Sequence, residues 1–287
     1  MVVKRLSALL LLAAVLACAC TPKPAVEPDP QQVDPGPGPE PPGPEPPGPE
    51  PPQPPADKDV TLMAGFKEEF SAKTSDFFDF TLNPSRDDFR YFPGFPSLSE
   101  SGNTILMLRL DTADPAGEGA ELVSKDYTHF GSYAVRLRLP DVVSVQPKLT
   151  ASAELALTDD HPDWGFDEIS LAFRLAEQKK VYTGIYRREA GVSGAPAFAG
   201  SEIQPELSTF NTAGKYYVYG LDWSADKIAW WYRVTPSGEK NILAETTENI
   251  PQQPLRLVFR YFSTKDQPAL YPYELEIDWM QYTPSEP

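Results

Sequence analysis

Cysteine is nearly absent from this 287-residue sequence, and the only two, Cys18 and Cys20, lie among its first twenty residues. Everything after them therefore has neither disulfides nor thiolate chemistry. Histidine is as scarce. With His129 and His161 alone, a histidine-based metal site is not expected. Positive charge is also short: 25 Lys and Arg stand against 41 Asp and Glu, a net charge of −16. Such a balance repels nucleic acid and anionic membrane surfaces. It also disfavours heavily sulfated or uronate-rich glycans, unless a local basic patch overrides the field. No long amphipathic helical pattern occurs, so a helical fold is not expected.

What is present falls into three parts, residues 1–20, 21–56 and 57–287. Met1–Ala17 carries Lys4 and Arg5 ahead of an apolar run, Leu6 to Leu16, too short to cross a bilayer and laid out as an export signal. Val15-Leu16-Ala17-Cys18 resembles a bacterial lipobox, which makes Cys18 the expected lipidation site, with Cys20 as the alternative frame. The localisation expected is the bacterial cell envelope, lipid-anchored at the outer membrane or cell surface. The membrane is then a partner through the lipid alone.

Residues 22–55 hold 17 of the 33 prolines, and Gly-Pro-Glu-Pro-Pro repeats three times between Gly38 and Pro52. Proline fixes φ and removes amide donors, so this segment is expected to be an extended polyproline-II spacer reaching up to about 100 Å. The domain of 57–287 carries 22 basic against 35 acidic side chains. Its length is ample for a core without cross-links.

From about Ala64 the pattern becomes short period-two segments separated by Gly, Pro, Asp and Asn. Ile105–Leu110, Ser132–Leu139, Thr150–Leu157, Phe166–Leu175, Lys180–Arg187, Lys215–Trp223, Lys227–Val234, Leu255–Phe262 and Tyr273–Tyr282 read as strands. The fold class expected is all-β, a jelly-roll sandwich of two antiparallel sheets. In Asp167-Glu-Ile-Ser-Leu-Ala-Phe173, alternation puts Glu168, Ser170 and Ala172 on one face and Ile169, Leu171 and Phe173 on a core face.

This strand is similar, position for position, to the Glu-x-Asp-x-Glu strand of laminarinases, agarases and their relatives, glycoside hydrolase family 16. The likeness extends over most of 65–284. Phe130-Gly131 through Leu139 resembles the family's Tyr-Gly-x-x-Glu-x-Arg-x-Lys strand. Val181–Tyr186 resembles the partner of the catalytic strand, and Tyr219–Trp223 with Ile228 the later Tyr-x-x-x-Trp segment. Ile250–Pro254 resembles a proline-flanked strand start, and Ile277–Tyr282 the closing strand. The resemblance implies a concanavalin-like fold of two curved sheets with a sugar cleft, and a nucleophile position at Glu168.

The departures fall where the chemistry belongs. Ser170 replaces the central Asp and Ala172 the acid/base Glu. Ala134 stands in place of a Glu, Tyr217 in place of a His, and Ala153–Leu157 lacks the family's aromatics. Retaining glycosidases need two carboxyl groups about 5–5.5 Å apart, one to attack and one to protonate. Ala172 has no proton to give, and general acid catalysis supplies about 10²–10⁴-fold. Glu154 and Asp167 are the candidates for a displaced acid, though Asp167 has the wrong parity. Asp159, Asp160, Asp163 and His161 are read as turn residues.

Pyranose faces stack on aromatic rings while polar groups fix orientation. Trp164 is the expected stacking platform if the strand begins there, with Glu168, Ser170, Arg136 and Tyr217 as hydroxyl contacts. Trp230 and Trp231 must face opposite ways, and Trp223 and Trp279 are read as core.

Three functions follow: a non-catalytic, surface-tethered lipoprotein binding a polysaccharide or oligosaccharide; an active endo-β-glycan hydrolase with a displaced acid; or a structural or partner-binding lipoprotein without sugar recognition. Surface glycan-uptake proteins are the partners implied by the first. No cofactor is expected. The family resemblance implies a structural calcium in many members, for which no distinctive ligand set is visible.

Overall fold

A computed structural model of the chain describes residues 60–72, 74–82, 89–92, 105–110, 120–203, 210–263, 269 and 271–285. The export signal, Cys18, Cys20 and the proline-rich segment lie outside the described residues.

Those residues form fifteen strands and no helix. The strands are β1 Phe66–Glu68, β2 Phe78–Leu82, β3 Phe89–Phe92, β4 Ile105–Leu110, β5 Ala120–Ser124, β6 Gly131–Arg138, β7 Ala151–His161 and β8 Gly165–Arg174. They continue with β9 Val181–Arg188, β10 Ala197–Ile203, β11 Tyr216–Trp223, β12 Ile228–Arg233, β13 Asn241–Thr246, β14 Arg256–Ser263 and β15 Tyr273–Pro284. All pair antiparallel in two sheets. One runs β13-β12-β11-β6-β15-β4-β3, with β1 added on β15; the other runs β10-β9-β8-β7-β14-β5-β2.

Period-two alternation decides what lies between them. In β8, Ile169, Leu171 and Phe173 are fully buried and join one core with Leu155, Leu157, Leu257, Phe259, Tyr133, Val135, Leu137 and Leu221. The indole of Trp223 is buried in this core and donates from Nε1 to the Pro251 carbonyl at 3.0 Å. Trp230 faces the core. Its neighbour Trp231 faces outward, into a small cluster with Val218, Trp279 and Ala134. The inter-sheet position expected for Trp279 is thereby corrected. A register shift between Ile277 and Trp279 makes Asp278 a bulged residue, and a bulge re-aims the side chains beside it.

All nine strands expected from alternation form, within a few residues at each end. The six others are short or lie at or near sheet edges. β10 (Ala-Phe-Ala-Gly-Ser-Glu-Ile) is exposed at six of its seven residues, and β13 at three of its six. A strand that buries neither face carries no hydrophobic alternation to read.

Two substitutions calibrate this packing. Phe173→Ala, in the centre of the core, should lower unfolding free energy by about 3–5 kcal/mol. Phe198→Ala, at a side chain 59% exposed on β10, should change it by less than about 0.5 kcal/mol. Urea titration of the full chain measures both.

Candidate active site and glycan groove

On the outer face of the seven-stranded sheet, strand register lines side chains up in rows. Phe198, Tyr186, Glu168, Thr158 and Arg256 form one row across β10, β9, β8, β7 and β14. Glu202, Tyr182, Ala172, Glu154, Arg260 and Glu121 form another, reaching β5. Between them runs a row of small residues, Gly200, Gly184, Ser170 and Ala156. That row is the floor of a groove.

The glycines are required there. A Cβ on Gly184 would stand 3.0 Å from the rings of Phe198 and Tyr186 and from Ser170 Oγ. The two rings lean over this floor, with centroids 4.7 Å apart and planes inclined by 32°. At the far end the Arg174 guanidinium lies 4.1 Å above the Tyr182 ring. Together with Glu154, Ser170 and Glu202 these rings bound a cavity of about 250 Å³.

The carboxylates sit beside it, gathered by one cation. Arg260 Nη1 donates to Glu168 Oε2 at 3.0 Å and to Glu154 Oε2 at 3.5 Å, while its Nε donates to Glu121 Oε2 at 2.8 Å. The two distances to Nη1 limit the separation of those Glu154 and Glu168 oxygens to about 6.5 Å. Glu154 stands directly opposite Ala172, on the neighbouring strand. Burial raises its carboxyl above the ordinary glutamate range, and the charge of Glu168 adds to this. Arg260 and a hydrogen bond with Ser170 pull the other way.

Several expectations are borne out by this geometry. Glu168 and Ser170 share the outer face and Ile169, Leu171 and Phe173 the core. Asp167 has the opposite parity: it is buried and paired with Arg187 Nε at 2.6 Å, away from the groove.

Others are corrected. β8 begins at Gly165, whose φ of +90° breaks the alternation, so Trp164 lies in the β7–β8 hairpin turn. There it stacks on His161 at a centroid distance of 3.5 Å and does not line the groove. Arg136 faces the outer side of the other sheet, buried and ion-paired with Asp278. Tyr217 is buried between the sheets against Phe210, Tyr219 and Tyr232. Neither can reach a ligand above Glu168. Asp159 and Asp160 belong to β7 rather than to a turn. Asp159 accepts from Tyr127 at 3.2 Å, and Asp160 pairs with Arg188 at 2.8 Å.

The residues the sequence reading missed are Tyr182, Tyr186, Phe198 and Arg260. For three of them a signal existed. Tyr182 and Tyr186 flank Gly184 at one parity, and Arg260 interrupts an apolar strand on its outward side.

The family model for glycosyl hydrolases family 16 matches residues 94–281. The chain belongs to that family. Among solved structures it is similar to a Bacillus licheniformis beta-glucanase, at 16% identity and a TM-score of 0.57, covering 78% of this chain and 99% of that one. The laminarinase catalytic domain of Thermotoga maritima aligns at 14% identity and a TM-score of 0.56, covering 80% and 100%. A family 16 endo-glucanase from Bacteroides ovatus, in complex with G4G3G-2F-DNP, aligns at 14% and 0.56, covering 76% and 99%. No curated protein matches the chain by sequence. In this member the family's fold persists. Among the described residues no cluster of three or more His, Cys, Asp or Glu is placed to hold a metal.

The raised Glu154 carboxyl has a measurable consequence. Between the ordinary value of 4.5 and its higher folded value, the folded state keeps a proton that the unfolded chain releases, so stability falls as pH rises through that window. Glu154→Gln cannot titrate. The stability of the native chain relative to this variant should therefore decline as pH climbs above about 4.5. Thermal unfolding of both proteins at a series of pH values measures the slope.

Proposed function

We propose that this chain is a surface-tethered glycan-binding lipoprotein in which a glycosidase scaffold holds a polysaccharide without cutting it. One observation carries the reading: the guanidinium of Arg260 lies within hydrogen-bonding reach of both Glu168 and Glu154. In a retaining site the scissile bond sits between the two carboxyl groups. Here one guanidinium pairs with both carboxyl groups and holds the would-be nucleophile in an ion pair. Ala172 and Ser170 supply no replacement acid.

The groove nevertheless keeps what sugar binding needs. Tyr182, Tyr186 and the exposed ring of Phe198 offer apolar faces, and Glu154, Ser170 and Glu202 offer hydrogen-bonding groups. The exposed ring of Phe198, two strands from Glu168 with Tyr186 between them, argues against a scaffold that has lost sugar recognition. The relatives named above are glucanases and laminarinases, which makes a β-glucan the first ligand to test. The lipobox at Cys18 and the proline-rich segment support attachment to the envelope, with the domain held off the membrane and within reach of glycan-uptake proteins.

A second reading keeps activity, with Glu154 as a displaced acid. The raised carboxyl and its closeness to Glu168 favour it, and it requires Arg260 to swing aside.

Affinity electrophoresis of the full chain in gels containing laminarin or mixed-linkage β-glucan, paired with reducing-sugar release, separates these. Retardation without product is the expected result. Tyr186→Ala and Phe198→Ala should each weaken retention on the order of tenfold, about 1.4 kcal/mol. Released sugar would establish the hydrolase, and absence of retention on any glycan would leave a structural role.

A further inference from the structure

The outer face of the other sheet carries a second depression, made by residues unrelated to the groove. Its floor is again a row of small residues, Ala134 on β6 and Gly220 on β11, lying between Gln281 and Trp231 in the sheet register. A Cβ on Gly220 would stand 2.5 Å from the Trp231 ring, so that indole lies along the sheet rather than standing up from it. The bulge at Asp278 sets Trp279 beside it, and both indoles pack on Ala134 and Val218. Tryptophans on the outside of a sandwich add little to its inter-sheet core. These two line an open depression of about 480 Å³, within the range of roughly 300–1,000 Å³ typical of ligand sites.

The polar lining is of one sign. Lys67 and Arg233 border the depression with Ser132, Gln281 and Thr283, and no carboxylate lines it. This is a local reversal on a domain with 35 acidic against 22 basic residues. Arg233 is half-buried, with its guanidinium 4.9 Å from the Trp231 ring and Nη1 donating to the Pro236 carbonyl at 3.2 Å. Its Nε is buried and has no hydrogen-bond partner, an unmet donor of a kind proteins rarely tolerate. The Lys67 ammonium lies 5.5 Å over the Trp279 ring and, among the described residues, pairs with the exposed Glu69. Lys240, 4.4 Å over Trp231, is by contrast held by Asp222. A neighbouring depression of about 500 Å³ shares Ser132 and Thr283 with it but carries the carboxylates of Asp222 and Glu245, so a lining of cations alone is confined to the first.

We propose that this depression binds an acidic pyranose unit of a glycan, its carboxylate on Arg233 and Lys67 and its ring against the exposed edge of Trp279, whose side chain is otherwise buried. Aromatic floor, amide, hydroxyls and cations are the complement of a uronic acid: an apolar ring face, hydroxyls and a carboxylate. An acidic peptide would satisfy the cations but would leave the indole and the small-residue floor without a matching surface. The site does not depend on the groove above Glu168 and faces away from it.

Isothermal titration of the full chain with trigalacturonate tests the assignment. Saturable binding is expected, weakening with salt and at least tenfold weaker in Arg233→Gln. Trp279→Ala should abolish it, with thermal unfolding of that variant checked in parallel. Arg233→Gln, at a partly exposed position, keeps the test valid if Trp279→Ala fails to fold. Tyr186→Ala, in the opposite groove, should leave trigalacturonate binding unchanged while weakening neutral β-glucan retention, which distinguishes the two sites. No binding of trigalacturonate, binding indifferent to Arg233→Gln, or equal competition by triglutamate would overturn the proposal.

Discussion

The groove depends on one guanidinium. Arg260 rises from the outward side of β14 and gathers carboxylates from three other strands, Glu121, Glu154 and Glu168. Charges so deeply placed require partners, since an unpaired ionised carboxylate out of water costs several kcal/mol. Arg260 supplies that partner to Glu168 and to Glu154 alike.

Side-chain size on the outer faces does the rest. A sheet face with uniform side chains offers only a flat surface. Here Gly200, Gly184, Ser170 and Ala156 on one face, and Gly220 and Ala134 on the other, lower a strip of the sheet to backbone level. Neighbouring aromatics then lie over the strip instead of projecting from it, as Tyr186 and Phe198 do beside Gly184 and Trp231 does over Gly220. The same fold thus makes a shallow, aromatic-walled depression twice, with different lining charge: Glu154, Glu202 and Arg174 in one, Lys67 and Arg233 in the other.

How much of this could be read beforehand follows from which physical rule governed each residue. Alternation is local, so β8 and its core face were legible from Asp167–Phe173 alone, and so were the nine strands that bury one face. Residues at a break in the pattern were not. Trp164 looked like a groove residue only if alternation began before Gly165, and the positive φ of Gly165 ends that inference. Arg136 and Tyr217 were placed by likeness to family positions, yet the sheet and face on which a strand's residues end up are set by long-range pairing. Tyr217 points into the core because β11 pairs with β6 at Leu137. Phe198 was invisible for another reason: its strand is an exposed edge whose composition, rich in alanine and glycine, resembles a loop. The meeting of Glu154 with Glu168 depends on the β7–β8 register. Parity allowed it, and only the pairing of Thr158 with Glu168 and of Glu154 with Ala172 established it.

The central claim is that Arg260 holds Glu168 as a paired charge rather than a free nucleophile. An activated 2-deoxy-2-fluoro β-glucoside with a dinitrophenolate leaving group needs no protonation, so it asks only whether Glu168 can attack. Intact-mass measurement of the full chain after prolonged incubation should show no added glycosyl group, in the native protein and in Glu168→Gln alike. A stoichiometric glycosyl adduct on Glu168 in the native chain would contradict the account.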